Sequence, residues 1–142
     1  LDKTHREVNE RVYAAVNGSA GLVHLVGYSL GSIVCYCALM QNEEAARKVA
    51  HLIMLGSPLY WCRSGVEQRV GLDSRPAVGR FTNWAGLLDI AWPQAVPKII
   101  RGLDEHREFA LNLLDPIKGH QEYFVKEEGL YALALELKKA WQ

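Results

Sequence analysis

The chain has 142 residues, the length of a single domain. Hydrophobic residues make up 49% and charged residues 23%, the balance of an ordinary globular protein. Sixteen Lys and Arg offset sixteen Asp and Glu with no long run of one sign, so neither nucleic acid nor an anionic membrane surface is expected as a partner.

Residues 3–16 carry Val8, Val12, Ala15 and Val16 on one helical face, with Arg6, Glu7, Glu10 and Arg11 mostly opposite, and predict a helix. Asn17-Gly18-Ser19 and Gly21 stop it. Residues 22–26 (Leu-Val-His-Leu-Val), apolar and bounded by glycines, read as a strand buried on both faces, and 30–40 as a second helix. A polar connection at 43–49 leads to a second buried strand at 51–55, which Gly56-Ser57-Pro58 ends. Gly65, Gly71 and Pro76 make 60–76 loop-like. Third and fourth strands are expected at 78–84 and 108–114, the latter stopped by Asp115-Pro116. A last helix starts near Gly129, with Leu130, Leu133, Ala134, Leu137 and Trp141 on one face. Strands alternating with helices predict an α/β fold, a mostly parallel sheet flanked by helices, over a single domain spanning 1–142.

No apolar stretch reaches the roughly 18 residues of a membrane span. The charged opening resembles no signal peptide, but the first residue is not Met, so little follows from that. Cys35 and Cys37 sit about 200° apart on a helix and cannot be joined to each other. With Cys62 they read as buried free thiols of a reducing compartment, which leans toward the cytoplasm. A bridge from Cys35 or Cys37 to Cys62 is the alternative. No zinc spacing is present and no metal is expected.

Gly27-Tyr28-Ser29-Leu30-Gly31 matches Gly-x-Ser-x-Gly. Three fixed positions are a weak signal by themselves. Here the pentapeptide leaves a buried strand and enters an apolar helix, the setting in which a sharp turn presents a serine as nucleophile. The flanking glycines are expected to keep side chains clear of neighbouring backbone. The rival readings are a tight turn whose serine only caps the helix, and a phosphate loop. The loop reading lacks the Lys and the glycine spacing such loops use.

A serine hydroxyl needs a base to take its proton. His24 and His51 fall in strands, His5 lies ahead of the core, and His106 lies in the charged run 104–108. His120 lies in Lys118-Gly119-His120-Gln121, read as a loop between the fourth strand and the last helix, free to reach the sheet edge where Ser29 stands. For the orienting carboxylate, Asp89 follows the third strand, with Asp115 and Asp104 as competitors. Asp115 also suits a cap before Pro116.

Gly-Tyr-Ser-Leu-Gly at 27–31, Leu-Gly-Ser-Pro at 55–58, the stretch 83–89 and Gly-His-Gln-Glu-Tyr at 119–123 together resemble an α/β-hydrolase of the lipase and esterase kind. The order Ser29, Asp89, His120 is that of the family's triad. Leu87, Leu88, Ile90 and Ala91 make the acid loop more apolar than is usual there. The resemblance implies the C-terminal portion of a catalytic domain, a partial α/β-hydrolase fold lacking the N-terminal strands. The Leu30 backbone N–H would then be one oxyanion-hole donor, the other coming from the part not represented, so that this chain alone is expected to turn over poorly.

The activity so implied is hydrolysis of a carboxylic ester with a lipid-like or small apolar acyl group through an acyl-enzyme on Ser29, without a cofactor. Tyr28, Trp61, Trp84 and Trp92 are candidates to contact the substrate, or else ordinary core residues. A thioesterase and a catalytically silent interaction module are the alternatives. With a neighbouring strand absent, residues 22–26 would form an open edge through which the chain self-associates.

Overall fold

The computed structural model describes residues 3–87, 89, 99–109, 114–125 and 127–139. Their order is α1 (Lys3–Asn17), β1 (Val23–Tyr28), α2 (Leu30–Gln41), α3 (Glu43–Arg47), β2 (Val49–Leu55), α4 (Leu59–Val70), β3 (Arg80–Gly86), β4 (Glu105–Phe109), α5 (Pro116–Gln121), a 3₁₀ turn (Glu122–Phe124) and α6 (Glu127–Lys139). The strands form one parallel sheet in the order β1-β2-β3-β4. The fold is α/β, as expected. No helix among the described residues is long and apolar enough to cross a membrane.

Register sorts the side chains into two cores. Leu52, Met54, Phe81 and Ala85 point to one face and join Val16, Tyr36, Leu39, Leu59 and Val66 of α1, α2 and α4 in the larger core. Ile53, Leu55 and Trp84 point to the other face and meet Tyr123, with Val26, Tyr28 and Leu133 packed against them. β2 occupies an inner position because Leu52, Ile53, Met54 and Leu55 follow one another, so both faces need cover. Burying each such side chain is worth about 1.5–3 kcal/mol relative to exposure.

Several elements depart from the sequence expectation. β1 is half-buried rather than buried on both faces, and β2 is its single strand neighbour among the described residues. Residues 59–70 are a helix, not a loop. Only Leu59 and Val66 of α4 are buried, so no apolar stripe marks it. Gly65 does not break it, and a Cβ there would meet open space, whereas Gly71 ends it by donating its N–H to the Glu67 carbonyl.

The fourth strand lies at 105–109, earlier than expected, and residues 110–113 are outside the described set. Charge pairing compensates for its polarity. Arg80 of β3 meets Glu105 at 2.5 Å, Glu105 pairs with Arg107, and the Arg107 guanidinium lies 5.6 Å from the centre of the Trp84 ring. His106 accordingly lies in a strand rather than in a surface run.

α6 turns Leu133 and Leu137 inward and leaves Leu130 and Ala134 exposed, and Trp141 lies outside the described residues. All three cysteines are free thiols, Cys35 and Cys37 buried and Cys62 half-buried. Burial pushes the Cys35 thiol up to about 11, which keeps it protonated and inert.

Candidate active site

Parallel pairing brings the C-terminal ends of β1, β2 and β3 to one edge of the sheet, and the candidate residues gather there. Ser29 follows β1 directly. Its backbone, at φ 52° and ψ −130°, is the one non-glycine with positive φ among the described residues, a conformation that costs of order 1–3 kcal/mol.

Several contacts hold that turn. The Ser29 N–H donates to the Leu55 carbonyl at 2.9 Å, extending the ladder with β2. The Ser29 carbonyl accepts from the Ser32 N–H at 3.0 Å and from its hydroxyl at 2.6 Å. A Cβ on Gly27 would lie 2.6 Å from the Ser32 Cα, so only glycine lets strand and helix approach this closely. Gly31, expected to serve the same end, does not: a Cβ there meets nothing within 4 Å.

The Ser29 side chain makes no capping bond to α2. Its Oγ instead lies 2.9 Å from His120 Nε2. His120 Nδ1 lies 2.9 Å from Asp89 Oδ1 and 3.1 Å from Oδ2. A carboxylate only accepts, so Nδ1 carries the proton and Nε2 is left to accept from the serine hydroxyl. The three residues form a continuous hydrogen-bonded line. The Asp89 side chain has no solvent exposure.

His120 does not reach the serine from a loop. It lies on α5, which starts because Asp115 accepts from the Ile117 and Lys118 N–H groups at 3.1 Å each and Pro116 takes the first turn. Asp115 is therefore a helix cap, and Asp104 is equally committed elsewhere. Both Asp104 oxygens take the Arg75 guanidinium at 2.9 Å, and Oδ2 also accepts the Phe81 N–H at 2.7 Å. The Arg75 bonds hold the Asp104 carboxyl below the usual carboxylate range.

The other histidines are placed away from the serine. His51 is 2.9 Å from the Thr82 hydroxyl, His106 is 3.2 Å from the Asn83 amide, His5 is beside Arg69, and His24 lies on β1.

Two tyrosines lock the line in place. Tyr28, inside the pentapeptide, donates its hydroxyl to the His120 carbonyl at 2.5 Å and stacks on the imidazole, ring centres 5.1 Å apart. Burial, and secondarily the Asp89 charge, raise its phenol above the ordinary value. Tyr123 donates to Asp89 Oδ2 at 2.5 Å. Sequence reasoning assigned Tyr123 no role; its place three residues after His120 was the available signal.

Gly56, at φ +52°, passes directly beneath. A Cβ there would lie 2.8 Å from Tyr123 Cε2, 3.0 Å from Asp89 Oδ2 and 3.1 Å from His120 Cε1.

The remaining expectations divide. Leu30 opens α2, so its N–H lies in the first turn, where helices leave donors unsatisfied. Trp84 is 1% exposed and packs in the smaller core, which removes it as a substrate contact. Trp61 is exposed on α4 against Tyr60, and Trp92 lies outside the described residues. No cluster of His, Cys, Asp and Glu among the described residues is arranged to hold a metal ion.

Compared with protein-family models, with curated proteins and with solved structures, the chain has no match in any of the three. What the site can do is therefore read from its own atoms. It can withdraw a proton from Ser29 through His120 while Asp89 stabilises the imidazolium that forms.

Proposed function

We propose that this chain is a serine hydrolase of the α/β-hydrolase kind, cleaving carboxylic esters with lipid-like or small apolar acyl groups. The observation that carries the reading is the line Ser29 Oγ–His120 Nε2–Asp89, with both links at 2.9 Å. His120 removes the serine proton, Ser29 attacks the ester carbonyl, and the same imidazole protonates the departing alcohol. His120 then activates water, which releases the acid from the acyl-enzyme. The Leu30 N–H, at the positive end of α2, donates to the developing oxyanion in this reading.

Preference for an apolar acyl group is supported by what lies around the serine. Leu30 is its neighbour, Ile117 is one helical turn before His120, and Phe124 meets Tyr28 with ring centres 5.3 Å apart. All three are exposed. Tyr28 offers its ring beside His120, and Trp61 remains a more distant candidate. No metal or organic cofactor enters the chemistry.

A fluorophosphonate probe labels an activated serine and spares an inert one. The expected result is labelling of the wild-type chain at Ser29, loss of labelling in Ser29→Ala, and loss of p-nitrophenyl ester hydrolysis with a nearly unchanged melting temperature. An Ala variant with wild-type turnover would remove Ser29 as the nucleophile. A wild type that the probe leaves unlabelled would favour the silent interaction module instead.

A further inference from the structure

A carboxylate that orients a histidine must itself be oriented, and Asp89 is referenced twice to the end of β3. Its backbone N–H donates to the Gly86 carbonyl at 3.0 Å, closing a turn. Its Oδ2 accepts the Tyr123 hydroxyl at 2.5 Å, and that hydroxyl accepts the Gly86 N–H at 2.5 Å. One phenol thus ties a strand terminus to the carboxylate.

Tyr123 has little freedom of its own. It is 3% exposed, and its ring packs with Ile53, Leu55 and Trp84. Burial, with the Asp89 charge adding to it, pushes its phenol far above the ordinary value of 10.0, so it remains a donor at any working pH.

We propose that Tyr123 is a positioning residue for the hydrolytic reaction: by occupying Asp89 Oδ2 it fixes the carboxylate plane and leaves Oδ1 aimed at His120 Nδ1. The proposal rests on the serine-hydrolase reading above. Donation from the phenol also drains charge from Asp89, and this weakens its hold on the imidazolium. Orientation and charge therefore pull in opposite directions, and the sign of the kinetic effect tells which prevails. The observed geometry favours orientation. Oδ1 and Oδ2 lie 2.9 and 3.1 Å from Nδ1, so a small rotation would exchange them if Oδ2 were not held.

The test is Tyr123→Phe in the full chain, which removes the hydroxyl and keeps the ring. Turnover of a short p-nitrophenyl ester falls roughly 10- to 100-fold. KM stays within about twofold, since no substrate contact is lost. In proton NMR, the downfield resonance of the His120 Nδ1–H broadens or moves. Unchanged or faster turnover overturns the proposal, and so does a slower enzyme whose Nδ1–H resonance has not moved. If the wild type neither hydrolyses esters nor labels at Ser29, the hydrolase reading fails by itself. The resonance then decides the Tyr123 contact alone: an unmoved signal refutes its hold on Asp89, and a displaced one upholds that hold without a hydrolytic role.

Discussion

Gly56→Ala is the sharpest perturbation the site offers, because one methyl group meets three of its members. At φ +52° an alanine pays the left-handed penalty, about 1–2 kcal/mol. Its Cβ then stands 2.8 Å from Tyr123 Cε2, 3.0 Å from Asp89 Oδ2 and 3.1 Å from His120 Cε1. Moving the first contact out to the ordinary 3.4 Å needs a displacement of about 0.6 Å. Overpacking of this sort costs about 1–3 kcal/mol. The sum, about 2–5 kcal/mol, corresponds to a drop of roughly 4–20 °C in melting temperature for a chain of this size.

The groups that must yield are those that align the serine, so kcat/KM should fall about 10- to 100-fold even where the protein stays folded. Calorimetry and an ester assay at a temperature below both transitions separate the two effects. Gly31→Ala is the internal comparison. It lies in α2 with open space around it and should stabilise by up to about 1 kcal/mol. A Gly56→Ala variant with wild-type kcat/KM and melting temperature would refute the close packing beneath Asp89 and His120.

Asp89→Asn should lower turnover by orders of magnitude, because an amide fixes the wrong imidazole tautomer and offers no charge. Asp115→Asn and Asp104→Asn should do far less, and steady-state kinetics on the three decides the acid. Asp104 carries a separate, pH-dependent prediction. Its folded pKa is depressed from 3.8 by Arg75, so its stabilisation is present above that value and lost as pH falls through the lower, folded one. The melting-temperature gap between wild type and Asp104→Asn should therefore be largest near neutrality and close progressively below pH ~4. A gap that does not change with pH would show that the Arg75 pair is not its source. The edge of β1 that pairs with no strand among the described residues should support self-association, and Leu22→Lys, at an exposed position beside it, should shift light-scattering mass toward the monomer.

Legibility in the sequence followed burial. α1 was readable from its period, β1 from a short apolar run between glycines, and β2 from one that Gly56-Ser57-Pro58 stops. Ser29 was readable because strand, pentapeptide and helix agreed. Asp89 and His120 were nominated by chain position, and the structure brings both to Ser29. α4 escaped notice because two buried side chains in twelve residues leave no stripe. β4 was displaced because its charged residues are accommodated by neighbours on β3, a long-range fact no local window contains. Trp84 was open between a substrate contact and a core residue, and parity along β3 turns it into the core. Tyr123 offered only its place three residues after His120 as a signal, since its partner Gly86 contributes only a backbone N–H.

The smaller of the two cores has a dynamic consequence. α5, the 3₁₀ turn and α6 meet the sheet through Tyr123, Leu133 and the Tyr28 contacts, while Ile117, Phe124, Val125, Leu130, Tyr131 and Leu135 face solvent. A segment with so few apolar anchors among the described residues should open at the low end of the local free-energy range, below the unfolding of the sheet. His120 is thus the detachable member of the site, and Ser29 and its strained turn belong to the durable part. Hydrogen exchange at α5 amides should run ahead of that at β2. On warming, activity should disappear reversibly before the sheet melts, the nucleophile still in place and its base gone.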